Sequence, residues 1–441
     1  MDGIKLGVVS QTPVVRFVKK VRGDDVRLGD LDEGDYSYTV GGVSPMVRSE
    51  LGRLVKAGEV SRAVWFSLNP GAPRTIELTG RIHVVNISLD QEDSRQYTAF
   101  KQEVWNNVHN ISSAGFGAEE YMGYFGYNSK LAKTMLQHSE TADLFEIHDF
   151  QQLLLGAMLG PAFPTVFRWH IPFVPQVLNP KIRKFIINGM EGNDAIIVST
   201  KRDLEGLIRA GFKGRAYQVY PHIDIKQFDK PTRSSMAQLC SQYAIKDDDF
   251  LVVNVARMDS IKSQDDLIRA IAMIDRKDVK LMLVGNGSFT STNLGHSIGK
   301  SWRGRLEQLV DKLKLRGRVI FTGYLPSEML KDVYGRADLF VLPSRTEGFG
   351  LVVAEAWLYD TPTIVSSGAG ISELIIDDIN GFVFRSGDYR ELASRIRQVY
   401  RDSSLAESLG RNARRMAKSC SVESKIPALK NIYDSTISEF G

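Results

Sequence analysis

The sequence predicts an α/β protein built as two doubly wound domains, each a mostly parallel sheet with helices on both faces. Three observations predict it. The chain has 441 residues, more than one hydrophobic core ordinarily serves. Short β-rich runs alternate with stretches of helical periodicity, as crossover connections between parallel strands require. A polar, Pro-led stretch from Pro221 to Ser234 separates one such series from the next and reads as a hinge. The expected domains are residues 1–225 and 235–415.

In the first half, strands are expected at Ile4–Val9, Ala63–Phe66, His83–Ile87, Leu144–Ile147, Thr165–Arg168, Ala195–Ser199 and Ala216–Val219. Helical periodicity covers Met46–Ala57 and Leu204–Ala210. Residues 10–36 fit this scheme poorly. They are mixed in charge and turn-rich at Arg22-Gly23-Asp24-Asp25, and they read as a hairpin or a mobile loop. The second half repeats the plan more clearly, with strands at Phe250–Val255, Val279–Val284, Val319–Thr322, Leu339–Leu342 and Thr363–Val365. Its helices are expected at Gln264–Met273, Trp302–Leu315, Ser327–Tyr334 and Gly350–Leu358. Two such domains facing one another place a central cleft at the carboxyl ends of both sets of strands.

Composition removes several functional classes. Hydrophobic residues make up 43% and charged residues 24%, the balance of a globular protein. The net charge of +4 is spread along the chain without a basic block, which argues against a nucleic-acid partner. Cys240 and Cys420 are too far apart for a Cys-x-x-Cys motif, and two cysteines make no disulfide framework. The seven histidines lack His-Glu-x-x-His spacing. No apolar run approaches the ~20 residues of a membrane span. The start, MDGIKLGVVSQTP, lacks a basic region followed by an apolar stretch, so no signal peptide is expected and a cytoplasmic location is. A basic amphipathic surface at Val14–Arg22 is the one candidate for membrane contact, which is not expected.

Two phosphate-binding patterns nearly occur. Gly285-Asn286-Gly287 follows the Val279–Val284 strand, but Thr290 stands where a dinucleotide fingerprint needs its third glycine. Gly295-His296-Ser297-Ile298-Gly299-Lys300-Ser301 resembles a phosphate loop with one residue too few between its glycines. Ten residues also separate it from the preceding strand. It reads as an inserted polar loop, spanning 288–301, that enters the Trp302 helix.

The strongest signal is Ser344-Arg345-Thr346-Glu347-Gly348-Phe349-Gly350-Leu351-Val352-Val353-Ala354-Glu355-Ala356, between the Leu339–Leu342 strand and a helix. Gly348 and Gly350 let the backbone approach a ligand, and free N–H groups at a helix start favour negative charge. Glu347 and Glu355 are acceptors for hydroxyls. Placed on one helix they stand ~12 Å apart, a separation that suits two parts of one extended ligand. The bland alternative is a helix-start acid and a solvated residue. At the end of the Phe250–Val255 strand, Arg257 and Lys262 flank a turn and can converge on one diphosphate, Arg as a planar fork and Lys as a point charge.

EGFGLVVAE, a Glu-x7-Glu pattern, resembles the signature of retaining family-4 glycosyltransferases of the GT-B fold, which have two Rossmann-like domains facing a cleft. The resemblance covers residues ~36–440. It implies that Glu347 and the amides of Gly348, Phe349, Gly350, Leu351 and Val352 hold the donor sugar and phosphates, and that Glu355 binds the ribose. It implies that the Arg-x4-Lys pair, Arg257 and Lys262, stabilises the departing diphosphate. Gly41-Gly42-Val43 resembles the N-terminal glycine loop near phosphates and acceptor. His170, in Phe167-Arg168-Trp169-His170, falls where the family places a His near the reacting face of the sugar. Val319–Leu325, with Ile320, resembles the loop beside the nucleobase. Residues 421–441 resemble the terminal helix that packs back on the first domain, the acceptor side, while the second binds the donor.

His148-Asp149-Phe150-Gln151, Arg168-Trp169-His170 and Pro221-His222-Ile223-Asp224 together resemble the glycosyltransferring trehalose synthases. The first 40 residues, Asp259–Ser263 and Ser288–Ser301 depart from them. The function implied is transfer of a hexosyl group, glucosyl by preference, from a nucleoside diphosphate sugar to a hydroxyl with retention. The acceptor can be glucose, giving trehalose. UDP- or ADP-glucose is the expected donor, no metal is expected to be required, and a homodimer is compatible with the pattern. Glucan elongation, a GT-B phosphorylase or epimerase, and a non-catalytic sugar-nucleotide-binding protein remain the alternatives.

Overall fold

The computed structural model describes residues 3–19, 21, 23–40, 43–160, 162–286 and 294–440. The chain divides into two compact units, Met1–Pro221 with Val422–Gly441, and His222–Ser421.

The first unit contains β1 (Ile4–Ser10), β2 (Val15–Phe17), β3 (Asp25–Arg27), β4 (Tyr36–Tyr38), α1 (Val43–Ala57), β5 (Val60–Leu68), β6 (Thr75–Thr79) and β7 (Ile82–Ile87). It continues with α2 (Gln91–Val108), α3 (Ala118–Gln137), β8 (Leu144–His148), α4 (Leu155–Leu159), β9 (Thr165–Trp169), α5 (Pro180–Glu191), β10 (Ala195–Val198), α6 (Lys201–Arg209) and β11 (Arg215–Gln218). Among the described residues the main sheet runs β11-β10-β9-β8-β1-β5-β7-β6-β3. Its pairs are parallel except β6 with β7. The central strands β8, β9 and β10 are buried at every position, which is why they are mostly apolar, broken in β8 and β9 by Glu146, His148 and Arg168.

Residues 10–36 carry more order than a loop. β2 pairs antiparallel with β4, and β3 between them adds to the far edge of the main sheet beside β6. The helices α2 and α3 have polar sequences whose buried face is marked by Tyr97, Phe100 and Val104 on α2. Asp90 caps α2 by accepting from the Asp93 N–H at 2.8 Å. Stacked rings of Phe100 and Tyr124, 4.2 Å apart at their centroids, join the two helices.

The second unit contains α7 (Arg233–Gln242), β12 (Phe250–Val255), α8 (Gln264–Ala272), β13 (Val279–Val284), α9 (Leu294–Lys312), β14 (Val319–Gly323) and α10 (Ser327–Arg336). It ends with β15 (Leu339–Leu342), α11 (Leu351–Trp357), β16 (Thr363–Ser366), β17 (Phe382–Phe384), α12 (Tyr389–Arg401) and α13 (Ser403–Ala417). Its sheet order is β14-β13-β12-β15-β16-β17, the doubly wound order in which the chain starts centrally, winds to one side and then to the other. One expectation is corrected. α9 begins at Leu294, so residues 294–301 form its first turns rather than a polar loop. Residues 287–293, including Gly287 and Thr290 of the near-fingerprint, lie outside the described residues.

The stretch read as a hinge begins at the boundary of the two units. Within the second unit Ile223 bridges to Ser421. After it, α14 (Ile426–Phe440) joins the core of the first unit. Its Leu429, Ile432 and Tyr433 pack with Leu51, Leu54, Leu144, Val166 and Ile197, and Arg53 holds Glu423 at 3.2 Å. No helix among the described residues is long and apolar enough to cross a membrane.

Leu429 is fully buried. Leu429→Ala is therefore expected to destabilise the first unit by about 2–5 kcal/mol. Denaturant unfolding followed by a probe on β1–β5 checks this, since a separately folding tail would leave that transition unmoved.

Candidate functional site

In the second unit the strand order reverses between β12 and β15, so the loops leaving these neighbours diverge and open a crevice at their carboxyl ends. Both principal motifs of the unit sit there. After β12, Asp259 caps a single 3-10 turn, Ser260–Lys262, and Ser263 takes a left-handed φ of 51° before α8 begins. Gln264, held by the Trp302 indole N–H at 3.0 Å, donates to the Arg257 carbonyl at 2.7 Å. The Met258 N–H is bound by the Asn286 carbonyl at 2.9 Å. These contacts fix the backbone that carries Arg257 and Lys262.

After β15 the chain runs through Ser344–Gly350. The Arg345 N–H donates to the Ile261 carbonyl at 2.8 Å, stitching this loop to the Lys262 turn. Glu347 is clamped through its backbone, its N–H to Gly368 O at 3.1 Å and its carbonyl accepting from Gly370 N–H at 3.1 Å. Gly368 approaches so closely that a Cβ there would lie 2.0 Å from the Arg345 carbonyl oxygen. Gly350, at φ 105°, caps α11 in a conformation that L side chains rarely adopt.

The structure brings Lys262 and Glu347 together. The Lys262 ammonium donates to Glu347 Oε2, and the side chains are mostly covered, 11% and 22% exposed. The separation of Glu347 from Glu355 is not the helical one, because α11 starts only at Leu351 and Glu347 precedes it in an irregular turn. Gly348 is partly buried, Phe349 is buried and lends its carbonyl to the Ile371 N–H at 2.8 Å, and Leu351 and Val352 form the first turn of α11. Glu355 accepts from the Tyr334 hydroxyl at 2.7 Å, and burial pushes its carboxyl up. Ile320 lies on β14 opposite Met282. Gly41 and Gly42 lie outside the described residues.

In the first unit the corresponding reversal falls between β1 and β8. His148 ends β8 and His170 follows β9. Their rings stack at 5.2 Å, with His148 Nδ1 2.9 Å from His170 Nε2. Behind them is a chain of buried charge. His148 Nε2 lies 3.5 Å from Glu146 Oε2. Arg168 Nη1 lies 3.5 Å from Glu146 and 2.7 Å from Glu50 of α1, and the Tyr433 hydroxyl donates to Glu50 at 3.2 Å. Burial alone would raise Glu146, but His148 and Arg168 outweigh it and hold the carboxyl down to about 2. Glu50 keeps a raised value, burial prevailing over Arg168.

Asp149 stands beside this pair at φ 68°, a strained backbone for a non-glycine residue. Its Oδ1 accepts from the His170 N–H at 3.3 Å. Burial drives its carboxyl up to about 6, against the pull of the His170 N–H and His148.

Among the described residues no group of three or more His, Cys, Asp or Glu side chains is placed to hold a metal ion. A profile of the family described as "Glycosyl transferases group 1" matches residues 237–416. Residues 237–416 are thus similar to that family over somewhat less than half of the chain. The matched stretch occupies most of the second unit and contains both the Arg257–Lys262 turn and the Glu347 loop. The putative glycosyltransferase EpsD of Bacillus subtilis is 27% identical over 246 residues, 54% of this chain, and the chain spans 60% of that relative's length. Anabaena HepE, crystallised with UDP and glucose, superposes with a TM-score of 0.71 at 20% identity over 98% of this chain and 100% of that one. The trehalose 6-phosphate synthase of Burkholderia multivorans gives 0.79 at 18% identity, over 99% and 98%. At such identities the likeness establishes the fold, GT-B with two Rossmann-like domains.

Two features of the first unit escape a motif search: the buried Glu146 and Glu50, which share Arg168. A signal for Glu146 exists in Leu144-Phe145-Glu146-Ile147, a carboxylate inside an apolar strand, which needs a buried partner. Arg168, inside Thr165–Trp169, is the complementary signal.

The raised Asp149 carboxyl has a sign. Below an ordinary value of 3.8 both folded and unfolded chains hold the proton. As pH rises from 3.8 to about 6 the unfolded chain releases it first, so stability falls across that window. Asp149→Asn should remove this component. Unfolding free energies at pH 4 and 7 should then differ less in the variant, by a few kcal/mol at most, since a tenfold change in proton affinity is worth about 1.4 kcal/mol. An unchanged difference would refute the assignment.

Proposed function

We propose that the chain transfers a hexosyl group, glucosyl by preference, from a nucleoside diphosphate sugar to a hydroxyl with retained anomeric configuration. The observation that carries the reading is the Lys262–Glu347 pair at the crevice between β12 and β15. A cation and a carboxylate that partner each other without ligand are poised to take a diphosphate and sugar hydroxyls respectively. Lys262 and Arg257 supply preorganised positive charge to the leaving diphosphate, the demand that dominates such a transition state. Glu347 accepts from the sugar hydroxyls and the amides of Gly348–Val352 turn towards phosphate. Glu355, oriented by Tyr334, accepts from the ribose. His170 is assigned a sugar-contacting role.

The bond from the anomeric carbon to the phosphate oxygen breaks and the bond to the acceptor oxygen forms on the same face. The acceptor proton passes to the leaving phosphate, so no separate base is assigned. The UDP and glucose of the HepE complex support UDP-glucose as donor, with ADP-glucose the alternative. The likeness to a trehalose 6-phosphate synthase supports a small sugar acceptor over a growing polymer.

Lys262→Ala and Glu347→Ala should each lower transfer from labelled donor by about 100-fold or more, while the fold is retained. Wild-type rates in both would overturn the assignment, and the size of the labelled product separates disaccharide from polymer. With side-chain cations serving the diphosphate, transfer should persist in excess EDTA. Loss of transfer restored by a divalent ion would show that a metal does part of this work.

A further inference from the structure

We propose that the outer face of α3 is the surface through which two copies of this chain pair, antiparallel and about a two-fold axis at the level of residue 127. Such pairing is independent of the transfer reaction proposed above.

α3 is apolar on two sides. Its inner side, with Tyr124, Tyr127, Leu131 and Met135, is buried in the core of the first unit. On the outside Met122, Phe125, Ser129, Ala132 and Leu136 follow at steps of three, four, three and four residues, the spacing of a seam that faces a second helix. Met122 is 59% exposed, Phe125 42% and Leu136 43%. A surface helix ordinarily carries one apolar stripe, and a second one left in water marks a contact surface. This seam is also notched. The small side chains of Ser129 and Ala132 leave a groove of about 570 Å³ between Phe125 and Leu136, walled by Met158 of α4.

Size and charge together choose a second copy as the occupant. With the axis at residue 127, Leu136 faces Ala118 of the other copy, Met122 faces Ala132 and Phe125 faces Ser129. Every large side chain of the seam meets a small one, and the two-fold repeats each match. Alongside the seam, Glu119, Gly126 and Lys133 recur every seven residues on one line of the helix. Glu119 and Lys133 are exposed, and a Cβ on Gly126 would meet nothing within 4 Å, so the backbones have room to approach near the axis. In the antiparallel pair Glu119 falls within about 3 Å, along the helix, of Lys133 in the other copy, and both ends are matched in sign. A parallel pair would set Phe125 on Phe125 and acid on acid. An anionic lipid surface would repel Glu119 where Met122 must enter. One helix pair buries less than a standard interface, so the association is expected to be reversible.

Sedimentation equilibrium of the full chain tests this. Between about 1 and 300 µM the chain should pass from monomer to dimer, the range of a small reversible interface. Phe125→Glu should weaken the dimer by about 100-fold or more, since it sets an unpaired charge into both halves of the seam. Lys133→Glu should weaken it by about tenfold, through like charges brought together. Adding Glu119→Lys to Lys133→Glu exchanges the signs at both ends and should restore the dimer to within about threefold of the original. A chain that stays monomeric throughout overturns the proposal, as does a dimer unmoved by Phe125→Glu or a double exchange that restores nothing. A monomeric chain that co-sediments with phosphatidylglycerol vesicles, and loses this with Phe125→Glu, would give the face to lipid and overturn it too. If Phe125→Glu does not fold, the exposed Glu119 and Lys133 variants decide the matter.

Discussion

Parallel strands send all their carboxyl ends the same way, and helices must cover both faces of the sheet they form. Where strand order reverses, successive connections leave towards opposite faces and cannot fill the space beyond the strand ends. In both units of this chain the chemistry-bearing side chains lie at that reversal, between β12 and β15 in one and between β1 and β8 in the other. The rest of the site follows from it. The stitch from Arg345 to Ile261 and the clamp on Glu347 are backbone contacts, so the positions of Lys262 and Glu347 are set by the fold before any ligand arrives.

The first unit meets a harder problem, because it carries ionisable groups inside the sheet. Two carboxylates and one guanidinium are taken wholly out of water, and such a cluster ordinarily contributes little net stability while its rupture is expensive. Its members come from α1, β8, β9 and α14, elements far apart in sequence. Replacing one partner leaves the others charged and unsatisfied. This cluster therefore ties four elements to one arrangement, and that arrangement holds His148 against His170.

Much of this was legible in the residues. Phe250–Val255, Val279–Val284 and Leu339–Leu342 coincide with β12, β13 and β15, because buried parallel strands are unbroken apolar runs with Gly or polar punctuation. The Lys262–Glu347 pairing could be anticipated only as convergence on a ligand. That the two side chains meet each other is a tertiary fact, since 85 residues separate them. The helical spacing assumed for Glu347 and Glu355 does not hold because Glu347 lies before α11, which begins at Leu351, close to the expected start. The helices α2 and α3 were hidden by their polar faces, β6 by its half-polar Thr75-Ile76-Glu77-Leu78-Thr79 pattern, and β17 by its length of three residues. The role of Glu146 needs knowledge of which strands are neighbours, which no local pattern contains.

The return of α14 also orders events during synthesis. Residues 1–221 emerge first, yet Tyr433 and Leu429, which complete their core and their charge cluster, follow the whole of the second unit. At about 5–20 residues per second, that leaves an interval on the order of 10–40 s. Through it the nascent first unit carries an uncovered apolar face, and Glu50 without its hydroxyl donor. The second unit, contiguous in sequence, has all its parts before the first does. Until α14 emerges, a second unit with all its parts accompanies an incomplete first one, a state that chaperones recognise by its exposed apolar surface.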